Sequence, residues 1–153
     1  MGRERIKVIL NILSCRLKCS KITPFANEQE LIASIKDLLI QVQTLNGKTP
    51  SMMVIGALGR CGRGAMDLGK AVGLDNSKMT GWDMKETAKG GPFKEILEHD
   101  IFVNCIYLSS PIPPFITFDS LKEYGQSKKL SVLVDVSCDP NNTNNPGKIV
   151  QVN

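Results

Sequence analysis

Within the stretch 54–64, VIGALGRCGRG, glycines recur every third residue at 56, 59 and 62, and their spacing is the feature of this sequence that most directly suggests chemistry. Glycine admits positive φ and lets a ligand approach the backbone closely. An apolar run, Met52, Met53, Val54 and Ile55, precedes them, and Ala65, Leu68 and Val72 follow at helical spacing. The pattern predicts a strand, a glycine turn and the start of a helix. Unpaired N–H groups and the positive dipole end of that helix would favour an anion there, most simply the pyrophosphate of a dinucleotide. The spacing is G-x-x-G-x-x-G, one residue wider at its start than the usual dinucleotide fingerprint, and such turns also occur where tight packing is the only demand.

A second residue strengthens the nucleotide reading. Asp83 follows Trp82 at the end of an expected second strand, 21 residues after Gly62. An acid placed there in a dinucleotide fold accepts hydrogen bonds from the adenosine ribose hydroxyls and repels a 2′-phosphate. Lys85 is a counterweight to that repulsion. Cys61 in the turn and Cys105 near the end of a later strand are expected to lie close together, close enough for oxidation to join them if their Cα atoms are within about 7 Å.

Positioning these residues requires an α/β fold. Asn27 can cap a helix with Glu28 and Glu30 in its first turn and a stripe of Leu31, Ile35, Leu38, Leu39, Val42 and Leu45, expected to pack on the core. Gly47 and Pro50 end it. After the glycine turn a helix runs to about Gly73, a short strand ends at Asp83, and Gly90-Gly91-Pro92 introduces a short helix. Asp100 opens IFVNCIYL, whose near-continuous apolarity suits a parallel strand buried on both faces. A helical segment over 118–124 leads to a fourth strand over 131–136, and residues 148–152 begin a fifth. Alternating strands and helices predict a Rossmann-like parallel sheet flanked by helices, incomplete at its C-terminal end. Ligands of such a sheet lie at the carboxyl ends of its strands, here 56–62, 83–87, 105–109 and 135–139. His99, the sole histidine, precedes its strand and reads as a surface or helix-end residue. Tyr124 and Lys128 have the Tyr-x-x-x-Lys spacing of a proton-transfer pair, but Gly125 between them makes a poor helix interior, and the pair is rejected.

Composition excludes other classes. The chain of 153 residues carries a formal charge of +4, but residues 1–21 hold six basic residues and one acid, and the rest is close to neutral. The excess therefore belongs to a basic leader, and nucleic acid is not an expected partner of the domain spanning 22–153. Five cysteines, at 15, 19, 61, 105 and 138, are an odd number without a repeating pattern. They suit a reducing, cytoplasmic setting better than a disulfide framework or a zinc site. No run approaches the roughly 20 apolar residues of a membrane span.

Six motifs occur in order: GALGRCG, WDMKET, GGPF, FVNCIYL, PIPPF and VDVSCD. Through them the chain, over about 23–153, resembles the fungal saccharopine dehydrogenases that form lysine with NAD. The resemblance implies oxidative cleavage of saccharopine by NAD to lysine and 2-oxoglutarate, the last step of the aminoadipate route. It implies that Gly59 and Arg60, beside Gly56 and Gly62, place donors at the NAD pyrophosphate, and that Asp83 and Thr87 hold the adenosine ribose. Tyr107 would border the adenosine and Val136 the nicotinamide end. The family's paired Lys and His, which move the protons, belong to a preceding substrate domain, so no catalytic residue is assigned here. Saccharopine would be a partner only when that domain is supplied. A non-catalytic nucleotide-binding module or partner subunit is the alternative.

Overall fold

The computed structural model describes residues 24–108, 110–136 and Asn144. The basic leader, the fifth strand expected over 148–152, and Cys15, Cys19 and Cys138 lie outside them.

Helix α1, Glu28–Asn46, starts where Asn27 takes an extended conformation and its side chain accepts from Glu30 N–H at 2.9 Å. This is the N-cap geometry that satisfies one of the donors a helix start leaves open. Gly47 ends it with φ 69°. The apolar stripe is only partly covered: Ile32, Ile35 and Leu39 pack on the core, but Leu38 and Leu45 are 47% and 60% exposed. That departs from the expected core-facing stripe.

Strand β1, Met52–Ile55, is followed by α2, Arg60–Ala71, and β2, Met79–Trp82. Short helices α3, Met84–Thr87, and α4, Lys94–Leu97, lead to β3, Ile101–Asn104. Helix α5, Phe118–Tyr124, then precedes β4, Val132–Asp135. All neighbouring strands are parallel and the sheet order is β2-β1-β3-β4. The chain passes from β1 to one side, then crosses back over it to the other, so the direction of winding reverses between β1 and β3. This is an open, Rossmann-like α/β sheet with its switch point at the end of the central strand.

Every residue of β1 is buried. Alternate side chains of a strand point to opposite faces, so this strand feeds two cores. Met53 and Ile55 join Phe93, Ile96, Leu97, Phe102, Phe115 and Ile116 on one face. Met52 and Val54 join Val72, Leu74, Met79 and Val103 on the other, beneath α2 and the packed side of α1. Among the described residues no helix is long and apolar enough to cross a membrane.

Candidate functional site: the carboxyl edge of the sheet

The strand register aligns Ile55 with Trp82 on one side and with Asn104 on the other, and Asn104 with Asp135. The next residue of each chain therefore forms a row, Asp83, Gly56, Cys105, Val136, along the carboxyl edge. Backbone hydrogen bonds tie this row to the sheet. Gly56 N–H donates to the Trp82 carbonyl at 2.8 Å, Cys105 N–H to Ile55 at 2.9 Å and Val136 N–H to Asn104 at 2.9 Å. At the usual inter-strand spacing the row is about 14 Å long. It forms an extended shelf along that edge.

The glycine turn sits over the middle of that row. Gly56 leaves the strand with φ 86°, a conformation that disfavours any side chain. Its α-carbon also faces the Cys105 backbone, where an added Cβ would lie 3.0 Å from the carbonyl carbon. Gly62, buried in the first turn of α2, touches the same loop: a Cβ there would run into the Gly56 carbonyl oxygen and come within 2.7 Å of Ala57 Cα. Close approach of helix and turn is thus conditional on the glycine. The first helical bond of α2 runs from Arg63 N–H to the Gly59 carbonyl at 2.9 Å, and no side chain caps the helix. The N–H groups of Arg60, Cys61 and Gly62 precede that bond, in the place where a helix start presents donors to an anion. The first turn contains no acid.

Asp83 closes the β2 end. Its Oδ2 accepts from Leu58 N–H at 2.9 Å and its Oδ1 from Met84 N–H at 2.9 Å, so the carboxylate links the glycine turn to the start of α3. A carboxylate has about four acceptor sites, and the backbone N–H groups of Leu58, Met84 and, in the capping box, Glu86 take three of them, which leaves room for one further donor. Glu86 completes a capping box by accepting from Asp83 N–H at 2.9 Å, and this bond holds the Glu86 carboxyl below its ordinary value. The Thr87 hydroxyl donates to the Asp83 carbonyl at 2.9 Å, which places Thr87 beside Asp83 but occupies its proton. Tyr107 and Val136 are 74% and 51% exposed on the β3 and β4 side of the row. Arg60 is exposed on the first turn of α2.

Cys61 and Cys105 are both free thiols, Cys61 exposed and Cys105 half-buried. Burial pushes the Cys105 thiol up, with smaller contributions in the same direction from Cys61 and Asp135.

Three participants escape a reading by residue type. Leu58 contributes its backbone alone. Arg63 donates from Nε to the Leu58 carbonyl at 2.8 Å. Asn104, 1% exposed, donates to Asp135 Oδ1 at 3.0 Å and accepts from Ile106 N–H at 3.3 Å, joining the ends of β3 and β4. A lone amide inside the apolar run FVNCI was the available signal for Asn104.

The rejected residues fall elsewhere. His99 is at the amino end of the strands, its ring between the Glu95 carbonyl at 2.7 Å and the Thr80 hydroxyl at 2.9 Å. Tyr124 donates to Glu98 at 2.8 Å, which raises rather than lowers its phenol, and Lys128 donates to the Gly125 carbonyl.

The geometry can be set beside known proteins. No family model matches the chain. It is 51% identical over 132 residues to the saccharopine dehydrogenase [NAD(+), L-lysine-forming] of Candida albicans, covering 86% of this chain and 34% of that protein. The enzyme of the same name from Emericella nidulans is 56% identical over 124 residues, 80% of this chain and 32% of the relative. That of Schizosaccharomyces pombe is 50% identical over 133 residues, 86% and 36% respectively. The chain spans about a third of the length of these curated relatives.

Proposed function

We propose, for a chain that is a partial homologue of the NAD(+), L-lysine-forming saccharopine dehydrogenases, that it is the NAD-binding portion of such an enzyme. The observation that carries the reading is the joint placement of the glycine turn, the uncapped start of α2 and the Asp83 carboxylate on one edge of the sheet. The residues suit the cofactor. Gly56, Gly59 and Gly62 let a pyrophosphate approach the backbone, and the N–H groups of Arg60, Cys61 and Gly62 meet it with the positive end of α2. Two cations, Arg60 and Arg63, stand in a first turn where the helix dipole disfavours positive charge, and an anionic ligand offsets that repulsion. Asp83 would hold the adenosine ribose, with Thr87 behind it. The extended shelf would carry the dinucleotide past Cys105 toward Val136, with Tyr107 flanking its adenosine part. Bound NAD would accept hydride from saccharopine, and what this chain's residues supply is binding, orientation and discrimination against a 2′-phosphate.

The proposed whole reaction converts saccharopine, NAD and water to lysine, 2-oxoglutarate and NADH, with a cytoplasmic setting in keeping with the free thiols Cys61 and Cys105. A second reading is a nucleotide-binding module or partner subunit without turnover of its own. Among the described residues the histidine is at the far edge of the sheet, out of reach of a ligand on the carboxyl edge.

The purified chain is therefore expected to give no measurable NADH from saccharopine. General acid-base groups contribute about 10²- to 10⁴-fold, and orientation of reactants contributes more. An assay of NADH formation decides the matter. Turnover approaching that of a full-length relative would contradict the proposal that catalysis needs residues beyond this chain, and would direct attention to Lys85, Tyr107 and Asp135 as proton carriers.

A further inference from the structure

The backbone of Leu58 is held at both of its polar groups, in the two successive peptide planes that flank its α-carbon, although the residue is 69% exposed. Its N–H donates to Asp83 Oδ2 at 2.9 Å and its carbonyl accepts from Arg63 Nε at 2.8 Å. Both bonds involve a charged partner, the stronger class of hydrogen bond. Leu58 lies between the positive-φ Gly56 and Gly59, the N-cap of α2. Its orientation therefore sets the direction in which the chain enters the helix. Helix stability does not account for an arginine at this position, because a cation in the first turn opposes the dipole and no acid in that turn compensates.

We infer that Arg63 is a positioning residue of the dinucleotide turn: Asp83 and Arg63 lock the two peptide planes on either side of Leu58, so that the first N–H groups of α2 are already aimed at a pyrophosphate before the ligand arrives. The inference rests on the reading of this edge as an NAD site. It assigns Arg63 an action through Leu58, by its Nε donor, and not through a charge laid on the phosphate.

Three variants of the full chain separate these actions. Glutamine places an amide nitrogen where arginine has Nε, without charge; methionine has the length and no donor; lysine keeps the charge. In calorimetric titrations R63M is expected to bind NAD about threefold to tenfold more weakly than wild type, the loss of one hydrogen bond. R63Q should recover most of that loss. ADP-ribose should follow NAD across the series, whereas adenosine, which has no phosphate, should bind all variants alike; a general loss of folding would weaken both. In the ligand-free chain, the Leu58 amide hydrogen should exchange faster in R63M than in R63Q. Wild-type affinity in R63M would overturn the inference, as would R63K binding normally while R63Q is as weak as R63M. Should folded wild type bind no dinucleotide, the NAD reading falls with it as a site assignment, and equal Leu58 exchange in R63M and R63Q then removes the lock as well.

Discussion

Gly62→Ala is expected to abolish measurable NAD binding and to lower the melting temperature. The added methyl group would meet the Gly56 carbonyl oxygen and lie 2.7 Å from both Gly56 C and Ala57 Cα. These are backbone atoms, so no rotamer change relieves the clash; the turn or the start of α2 must move. Overpacking of this kind costs about 1–3 kcal/mol in stability. The effect on binding is larger, because displacing α2 misaims several N–H groups together, and each hydrogen bond to a charged group is worth about 1.5–3 kcal/mol. Thermal unfolding and NAD titration of the variant check both parts. An alanine variant with unchanged affinity would mean that the ligand does not use this turn.

Asp83→Ala should come next in size. It removes the acceptor for Leu58 N–H, the cap of α3 and, on the proposed reading, the partner of a ribose hydroxyl. Loss of a ribose hydrogen bond to the carboxylate predicts NAD binding weaker by roughly 10- to 100-fold. Loss of the cap costs about 0.5–2 kcal/mol in stability. The discriminating outcome is selectivity: without the negative charge, NADP should lose less affinity than NAD, so that their ratio moves toward one, aided by Lys85. Titration of wild type and variant with both dinucleotides measures this. An Asp83→Ala protein that binds NAD as the wild type does would remove Asp83 from the site.

Much of this arrangement is legible in the residues, because parallel sheets bury whole strands and so advertise them. The run Met52 to Ile55 is apolar throughout and every residue of it is buried. The strand after Asp100 is shorter than its apolar run suggests. Strand β3 ends at Asn104, and past Cys105 there is no further β1 residue to pair with, since the central chain has turned away at Gly56. Strand length is set by a neighbour, which local composition does not contain. Helix α3 is only four residues long, too short for hydrophobic periodicity, although Asp83 and Glu86 carry the D-x-x-E pattern of a capping box. The same Asp83 is both cap and ribose candidate, and the D-x-x-E spacing was the available signal for the first role. The role of Leu58 is illegible for a different reason: its bonds to Asp83 and Arg63 use backbone atoms, which every residue type has. On α1, 3.6-residue periodicity identifies an apolar stripe but not how much of it the rest of the domain covers, hence the exposure of Leu38 and Leu45.

The most direct measurement of the central claim, that this edge of the sheet takes NAD, is a calorimetric titration of the purified chain with NAD and with NADP, after circular dichroism has shown that it is folded. Saturable binding of NAD, tighter than that of NADP because Asp83 accepts from a ribose hydroxyl and repels a 2′-phosphate, is the predicted result. A folded chain that binds neither dinucleotide, or both with equal affinity, would contradict it.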